Sequence, residues 1–328
     1  MSRTLPISTD EKGSPLRVIF GGSNGTLLKT PTQEIHLPLL KDGQITLSIR
    51  REDMIHPLLS GNKFRKLKYN LEEAKKLGLS TLLTFGGAYS NHIPAVAYAA
   101  SNHDLKSIGI IRGEELADSW QDNPTLKTAS EWGMQFEFVT RQAYRAKETS
   151  SFQEKLQKKY GLFYSIPEGG TNLLGIRGCE EILQPEDESF DVICCAVGTG
   201  GTLAGISIAA WDHQKVLGFP ALKGDFLNSD LKELTPRSNW SLTTDYSFGG
   251  YGKVTGELIR FINNFKDETG IPLDPVYTGK MMFGLLDMVR KGDFDKGTRI
   301  LAIHTGGLQG IMGMNGILKK KNLPLLTV

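Results

Sequence analysis

Strands that alternate with helices along the whole chain predict an α/β protein built on a mainly parallel sheet. Short apolar runs such as "TLLTF", "SIGII", "DVICCAV" and "RILAI" recur between segments of helical spacing. Glycines follow four such strands directly, in "TFGGAYSNH", "IPEGGTN", "AVGTGGTLAG" and "IHTGG". No repeat, low-complexity block or long linker breaks the alternation. The 328 residues therefore make one large domain or two interwoven ones, not a tandem array.

Residues 1 to about 16 are polar and expected to be loosely held. "QITLSIRRED" reads as a strand that leads into the turn Gly61-Asn62. In "NKFRKLKYNLEEAKKLG", Phe64, Leu67, Leu71 and Ala74 lie on one helical face, and Gly78 is placed to end the helix. The strand in "STLLTFGGAYSNH" runs into a Gly-Gly turn and a small-residue helix, "IPAVAYAASNH". Strand "SIGIIRG", helix "NPTLKTASEWG", strand "FEFVT" and a polar helix through Lys158 continue the pattern. Strand "FYSIPEGG", helix "NLLGIRGCEEIL" and strands "FDVICCAVG" and "KVLGFPAL" come next. Helices "TGELIRFINNFKDETG" and "MMFGLLDMVRKG" precede the last strand, "RILAIHTGG".

Charge and cysteine content exclude several function classes. With 38 basic and 36 acidic residues the net charge is +2, far from the positive surface that a nucleic-acid binder needs. Cys179, Cys194 and Cys195 lack metal-ligand spacing, and the histidines show none either, so no metal site is expected. A reducing cytoplasm is the simplest setting for three cysteines of this kind. The N-terminus has no apolar signal core, and no apolar run approaches the roughly 20 residues of a membrane helix.

In open α/β sheets ligands bind outside the carboxyl ends of the strands, so four glycine-rich strand ends mark one candidate site. "VGTGGT", Val197 to Thr202, is the most specific. Its glycines let the backbone approach an anion, its threonines add hydroxyls, and the next helix points its positive end there. It lacks the Gly-Lys-Ser/Thr of a P-loop and the glycine spacing of a dinucleotide fingerprint. What remains is a cup for one phosphate monoester. "SGNKFRKLKY" places Lys63 at a strand-to-helix turn among other cations, where burial and like charge lower a lysine pKa. A phosphate cup with such a lysine suggests pyridoxal phosphate. Taken singly, Ser90 reads as a helix cap, Tyr251 and Tyr277 as packed aromatics, and Cys194 and Cys195 as buried strand residues.

"SGNKFRKL", "GGAYSNH", "AVGTGGTLAG", "GGYGKVTGE", "DPVYTGK" and "IHTGG" stand in the order found in a known family. From about residue 45 onward the chain resembles the 1-aminocyclopropane-1-carboxylate (ACC) deaminase and D-cysteine desulfhydrase family of pyridoxal phosphate enzymes. The resemblance implies a tryptophan synthase β-subunit-like fold of two interwoven open-sheet α/β domains. Residues 1–65 and 179–328 would form the large cofactor-binding domain, and 66–178 a smaller inserted one. It implies that Lys63 is the Schiff-base lysine and that Asn91 bonds the cofactor's ring hydroxyl. Val197, Gly198, Thr199, Gly200, Gly201 and Thr202 would hold the phosphate, with Lys66. Tyr277 would lie against the ring, and Thr278 or Thr305 would meet its pyridine nitrogen. Ser90, Asn91 and His92 would receive the substrate carboxylate, with Ser90 and Tyr251 near the reacting carbon. Relatives of this kind are usually homodimers.

ACC deaminases resembling this chain carry a glutamate directly after the tyrosine, where this chain has Thr278. A neutral hydroxyl makes the ring a weaker electron sink, suited to expelling a thiol. The expected reaction is elimination from D-cysteine or a similar D-amino acid, giving pyruvate, ammonia and sulfide, with Lys63 or Tyr251 taking the α-proton. The alternatives are ACC deamination to 2-oxobutyrate and, from another class, a cofactor carrier or regulator of low activity. Tyr89 stands where relatives carry glutamine, and Pro94 where a basic residue is common.

Overall fold

A computed structural model describes residues 28–224 and 226–327; the expectation for the first sixteen residues falls outside them. The chain begins β1 (Thr32–Ile35), α1 (Pro38–Gly43), β2 (Thr46–Arg50) and α2 (Asn62–Lys76). It continues through β3 (Thr81–Gly87), α3 (His92–Ser101), β4 (Lys106–Arg112), α4 (Pro124–Glu131), β5 (Gln135–Val139), α5 (Arg141–Arg145) and α6 (Ser150–Tyr160). Then come β6 (Tyr164–Ile166), α7 (Leu173–Glu180), β7 (Val192–Val197), α8 (Gly201–Ala209), β8 (Lys215–Pro220), α9 (Phe226–Leu234) and β9 (Trp240–Leu242). The last elements are α10 (Gly256–Thr269), α11 (Thr278–Lys291), β10 (Arg299–Ile303) and α12 (Gly310–Lys320).

Two sheets result. One has the order β1-β2-β10-β7-β8-β9, drawn from both ends of the chain, and the other has the order β5-β4-β3-β6 from its middle. All pairings are parallel except that of edge strand β1 with β2. The expected domain boundaries at 65/66 and 178/179 fall inside α2 and α7, which pack on each other.

Apolar runs become central strands because both faces are covered. Along β7, Val192, Cys194 and Ala196 join the core beneath α10 and α11, while Ile193, Cys195 and Val197 join the core beneath α7 and α8. The adjacent cysteines thus face opposite sides of the sheet, buried and unpaired, and burial pushes both thiols well up. β1, β9, α1 and α9 were not expected; short edge strands and short helices carry little periodicity. The strand expected over "FYSIPEGG" ends at Ile166, because Gly169 and Gly170 turn into the left-handed region (φ +68° and +70°).

Helix α2 is fixed by contacts too close for any side chain. A Cβ on Gly178 of α7 would lie 1.9 Å from the Arg65 carbonyl oxygen, and one on Gly205 of α8 would lie 2.6 Å from both Cys179 Cβ and the Ile176 carbonyl oxygen. At the start of α2, a Cβ on Gly61 (φ +65°) would lie 1.9 Å from the Thr305 carbonyl oxygen. The buried Arg65 guanidinium completes the clamp, donating at 2.9 Å to each oxygen of the buried Glu52 carboxylate. Gly178→Ala must push α7 off α2, an overpacking cost of about 1–3 kcal/mol or more. Urea unfolding should show that loss; an unchanged midpoint would mean that the two helices separate freely.

Candidate active site

The clamp brings the four glycine-rich strand ends together around a cleft of about 680 Å³ between the two sheets. Lys63, in the first turn of α2, faces it half-buried, and its Nζ donates to the Gly169 carbonyl at 3.3 Å. One helical turn on, Lys66 Nζ donates to the same carbonyl at 3.1 Å and to Thr171 Oγ1 at 3.1 Å. Burial and the neighbouring Lys66 charge push the Lys63 amine down to about 7. Desolvation lowers Lys66 as well. The basic run is therefore not a solvated patch: Arg65 pairs with Glu52, and Lys68 Nζ meets Glu181 Oε1 at 2.6 Å.

The phosphate cup forms where β7 meets α8. Gly200 takes the left-handed conformation (φ +83°), and Val197, Gly198, Thr199, Gly200 and Thr202 line the cleft. Thr199 Oγ1 bonds Thr171 Oγ1 at 2.5 Å, and Asn62 Nδ2 donates to Thr202 Oγ1 at 2.8 Å. A Cβ on Gly201 would lie 2.8 Å from Thr171 Oγ1 and 3.1 Å from Lys66 Nζ. An ammonium, two hydroxyls and a helix N-terminus thus surround a space that side-chain carbons would fill, a donor set that fits a phosphate. Sequence reasoning missed Thr171 and the Gly169 carbonyl, although "IPEGGTN" had marked their segment.

Tyr277 stands opposite, against Gly198, whose Cβ would come within 3.2 Å of its ring. Tyr251 meets the Tyr277 ring edge-on at 6.1 Å. Desolvation raises both phenols, Tyr277 well above its ordinary value, so both remain protonated donors. Thr305 lines the cleft, and its hydroxyl has no partner among the described residues.

Two expectations change in geometry. Thr278 is fully buried, and its hydroxyl donates to Asp274 Oδ1 at 2.8 Å while accepting from the Asp274 N–H at 2.9 Å. It does not reach the cleft, whereas Thr305 lines it. His92 is also buried: Thr84 Oγ1 gives its proton to the Ile166 carbonyl at 2.9 Å, so the His92 Nε2–H must donate to Thr84 Oγ1 at 2.8 Å. Burial and the two lysines hold the imidazole neutral. Its ring therefore offers no donor to a carboxylate; only its backbone, at the N-terminus of α3, remains for that task. Ser90 lines the cleft, and its Oγ also accepts from His92 N at 3.3 Å, so capping and site placement coincide. Asn91 lines the cleft beside the Gly306-Gly307 turn.

Asp274 is the organising residue that sequence reasoning passed over. Its carboxylate accepts the backbone N–H groups of Val276, Tyr277 and Thr278 at 2.9, 3.0 and 2.7 Å, and so sets the start of α11. The Asp-Pro pair in "DPVYTGK" carried that signal as a turn initiator.

A lysine amine near neutrality, a one-phosphate cup and a flat aromatic wall define a pyridoxal phosphate cleft. Residues 26–306 match the family model described as pyridoxal-phosphate dependent enzyme. The bifunctional D-cysteine desulfhydrase/1-aminocyclopropane-1-carboxylate deaminase of Arabidopsis thaliana mitochondria is 34% identical over 87% of this chain and 77% of its own length. The D-cysteine desulfhydrase of Klebsiella pneumoniae is 28% identical over 86% of this chain and 93% of its own. A solved ACC deaminase homologue superposes with a TM-score of 0.76 at 30% identity, over 90% of this chain and 95% of that one. The chain belongs to the pyridoxal-phosphate-dependent enzymes, in the group that holds the ACC deaminases and D-cysteine desulfhydrases. The fold is the one that the resemblance implied.

Two measurements test the site. Only a neutral amine attacks an aldehyde, so reductive labelling of Lys63 by a small aldehyde in cofactor-free protein should rise with pH and be half-maximal near 7. A midpoint near 10, as for a surface lysine, would contradict its environment. Thr278→Val should lower stability by about 1–2 kcal/mol, because it leaves the buried Asp274 N–H unpaired. Thr305→Val should alter the absorbance of bound cofactor with stability changed by under about 0.5 kcal/mol. The reverse pattern would return the ring contact to Thr278.

Proposed function

We propose that this enzyme eliminates the thiol of D-cysteine, or of a similar D-amino acid, to give pyruvate, ammonia and sulfide. The observation that carries the choice is the Thr305 hydroxyl at the cleft, without a partner among the described residues, with Thr278 turned away and no carboxylate at its sequence position. A neutral partner at the ring supports the loss of a good leaving group better than it supports opening an unactivated cyclopropane.

Bound here, pyridoxal phosphate supplies the carbonyl that holds the substrate amine and the ring that accepts electrons. Lys63 carries the cofactor and, once displaced, takes the α-proton as an amine poised near neutrality. Tyr251, as a protonated phenol, donates toward the departing sulfur and does not act as the base, which narrows the choice between the two. Lys66, Thr199 and Thr171 hold the phosphate together with the α8 N-terminus. The Ser90 hydroxyl, the Asn91 amide and the main-chain N–H groups that open α3 receive the substrate carboxylate.

ACC deamination to 2-oxobutyrate is the second reading, favoured by the dual activity in the plant relative's name. A carrier needs no pair of protonated phenols over the cleft, which weighs against that role. We assign the working unit two lobes, 1–65 with 179–328 and 66–178, supported by the segments that build each sheet. We further propose a cytoplasmic homodimer; among the described residues, no helix is long and apolar enough to cross a membrane.

Purified, cofactor-loaded protein given D-cysteine should release pyruvate and sulfide, and Lys63→Ala should abolish both. Tyr251→Phe should lower kcat by about 10²–10⁴-fold. Release of 2-oxobutyrate from ACC, with D-cysteine inert, would overturn the substrate assignment.

A further inference from the structure

Lys280 lies three residues after Tyr277 on α11 and is only 2% exposed. Its Nζ donates at 2.8 Å to the carbonyl of Ser247 and at 2.8 Å to that of Gly250. No ion pair holds it among the described residues, and desolvation pushes its amine down to about 8. The Asp274 charge raises the amine a little, but no carboxylate among the described residues touches it, and a cation buried without direct pairing is costly unless fixed dipoles replace its water. Two converging carbonyls do so here.

Those carbonyls belong to the loop that carries Tyr251. The segment makes two successive turns, closed by Gly250 N to Ser247 O at 3.0 Å and Lys253 N to Gly250 O at 3.2 Å. Each accepting oxygen thus serves a turn and the ammonium at once. The loop is a difficult conformation to hold: Phe248, Gly249, Gly250 and Gly252 all have positive φ, at +52°, +87°, +112° and +66°. Phe248 is not a glycine, so its left-handed backbone costs energy that the surroundings must supply. It packs edge-on against Phe283 of α11 at 5.0 Å. At the far end, Tyr251 Oη reaches the Tyr89 carbonyl at 3.4 Å.

We propose that Lys280 is a positioning residue: by gripping the Ser247 and Gly250 carbonyls it holds Tyr251 at its working place beside Tyr277. One helix then sets both phenols, Tyr277 through its N-terminal turn and Tyr251 through a lysine one turn later. The catalytic consequence rests on the proposed role of Tyr251; the mechanical claim does not.

The test separates the two. Lys280→Met and Lys280→Gln, loaded with cofactor, are compared with wild type in limited chymotrypsin digestion and in turnover of D-cysteine. Cleavage at Phe248 or Tyr251 should quicken in Lys280→Met and less so in Lys280→Gln, which keeps a donor. Turnover in Lys280→Met should fall by up to about a hundredfold, in kcat more than in KM, with cofactor content unchanged. The double variant Lys280→Met/Tyr251→Phe should be no slower than Tyr251→Phe alone, because both changes remove one function. Unchanged cleavage, or losses that simply multiply, would overturn the proposal. Faster cleavage with unchanged turnover would support the anchor and sink the assigned role of Tyr251. If neither variant folds, hydrogen exchange in the wild-type holoenzyme decides. Gly250 and Lys253 amides should exchange far more slowly than free peptide, and free-peptide rates would overturn the anchor.

Discussion

The approach of α2 to its neighbours at backbone contact distance is the constraint on which the rest depends. Gly178 meets the Arg65 carbonyl and Gly61 meets the Thr305 carbonyl with no space for a methyl group. The second contact joins the turn before Lys63 to the end of β10, elements far apart in the chain. It places the lysine and Thr305 in the wall of one cleft. The Glu52–Arg65 pair then holds α2 in rotation, so that Lys63 and Lys66, one turn apart, both point at the cup. A helix fixed this way can keep two ammonium groups close together, because it has no freedom to move them apart.

That forced closeness accounts for the electrostatics. Both lysines share the Gly169 carbonyl, and each is surrounded by protein that cannot solvate charge well. A phosphate in the cup would relieve Lys66 by giving it an anion, while Lys63 is relieved by losing its proton. The neutral His92 nearby adds no third charge. The basic run therefore divides its labour by helical period: positions 63 and 66 face the cleft, and Arg65 and Lys68 are neutralised by Glu52 and Glu181.

Much of this was legible in the sequence, for identifiable reasons. Buried parallel strands announce themselves as unbroken apolar runs, and glycines at their ends mark where a backbone must turn sharply or come close. Lys63, "VGTGGT" and Tyr277 could be placed at the cleft from sequence because short motifs carry them. Thr278 misled, since a motif gives a position in the chain but not the direction of a side chain. Asp274, four residues earlier, claims that hydroxyl for the helix start. His92 misled likewise, because its partner Thr84 lies on the preceding strand, where no local pattern points to it. Lys280 escaped notice because its partners are backbone carbonyls, which leave no signature in residue type.

The two ends of the cleft are built differently. At the cup, glycines lie against buried side chains and threonines bond one another, so each position is over-determined by its neighbours. At the other end, Tyr251 is 38% exposed and its neighbour Tyr89 50%, and Arg112 lines the cleft from an exposed strand end. Those side chains support little of the core. A lineage can therefore exchange Tyr89 and Arg112 one at a time and drift from one amino acid to another while its cofactor chemistry stays put. On such a scaffold, substrate choice is the inexpensive variable and the cofactor the inherited one.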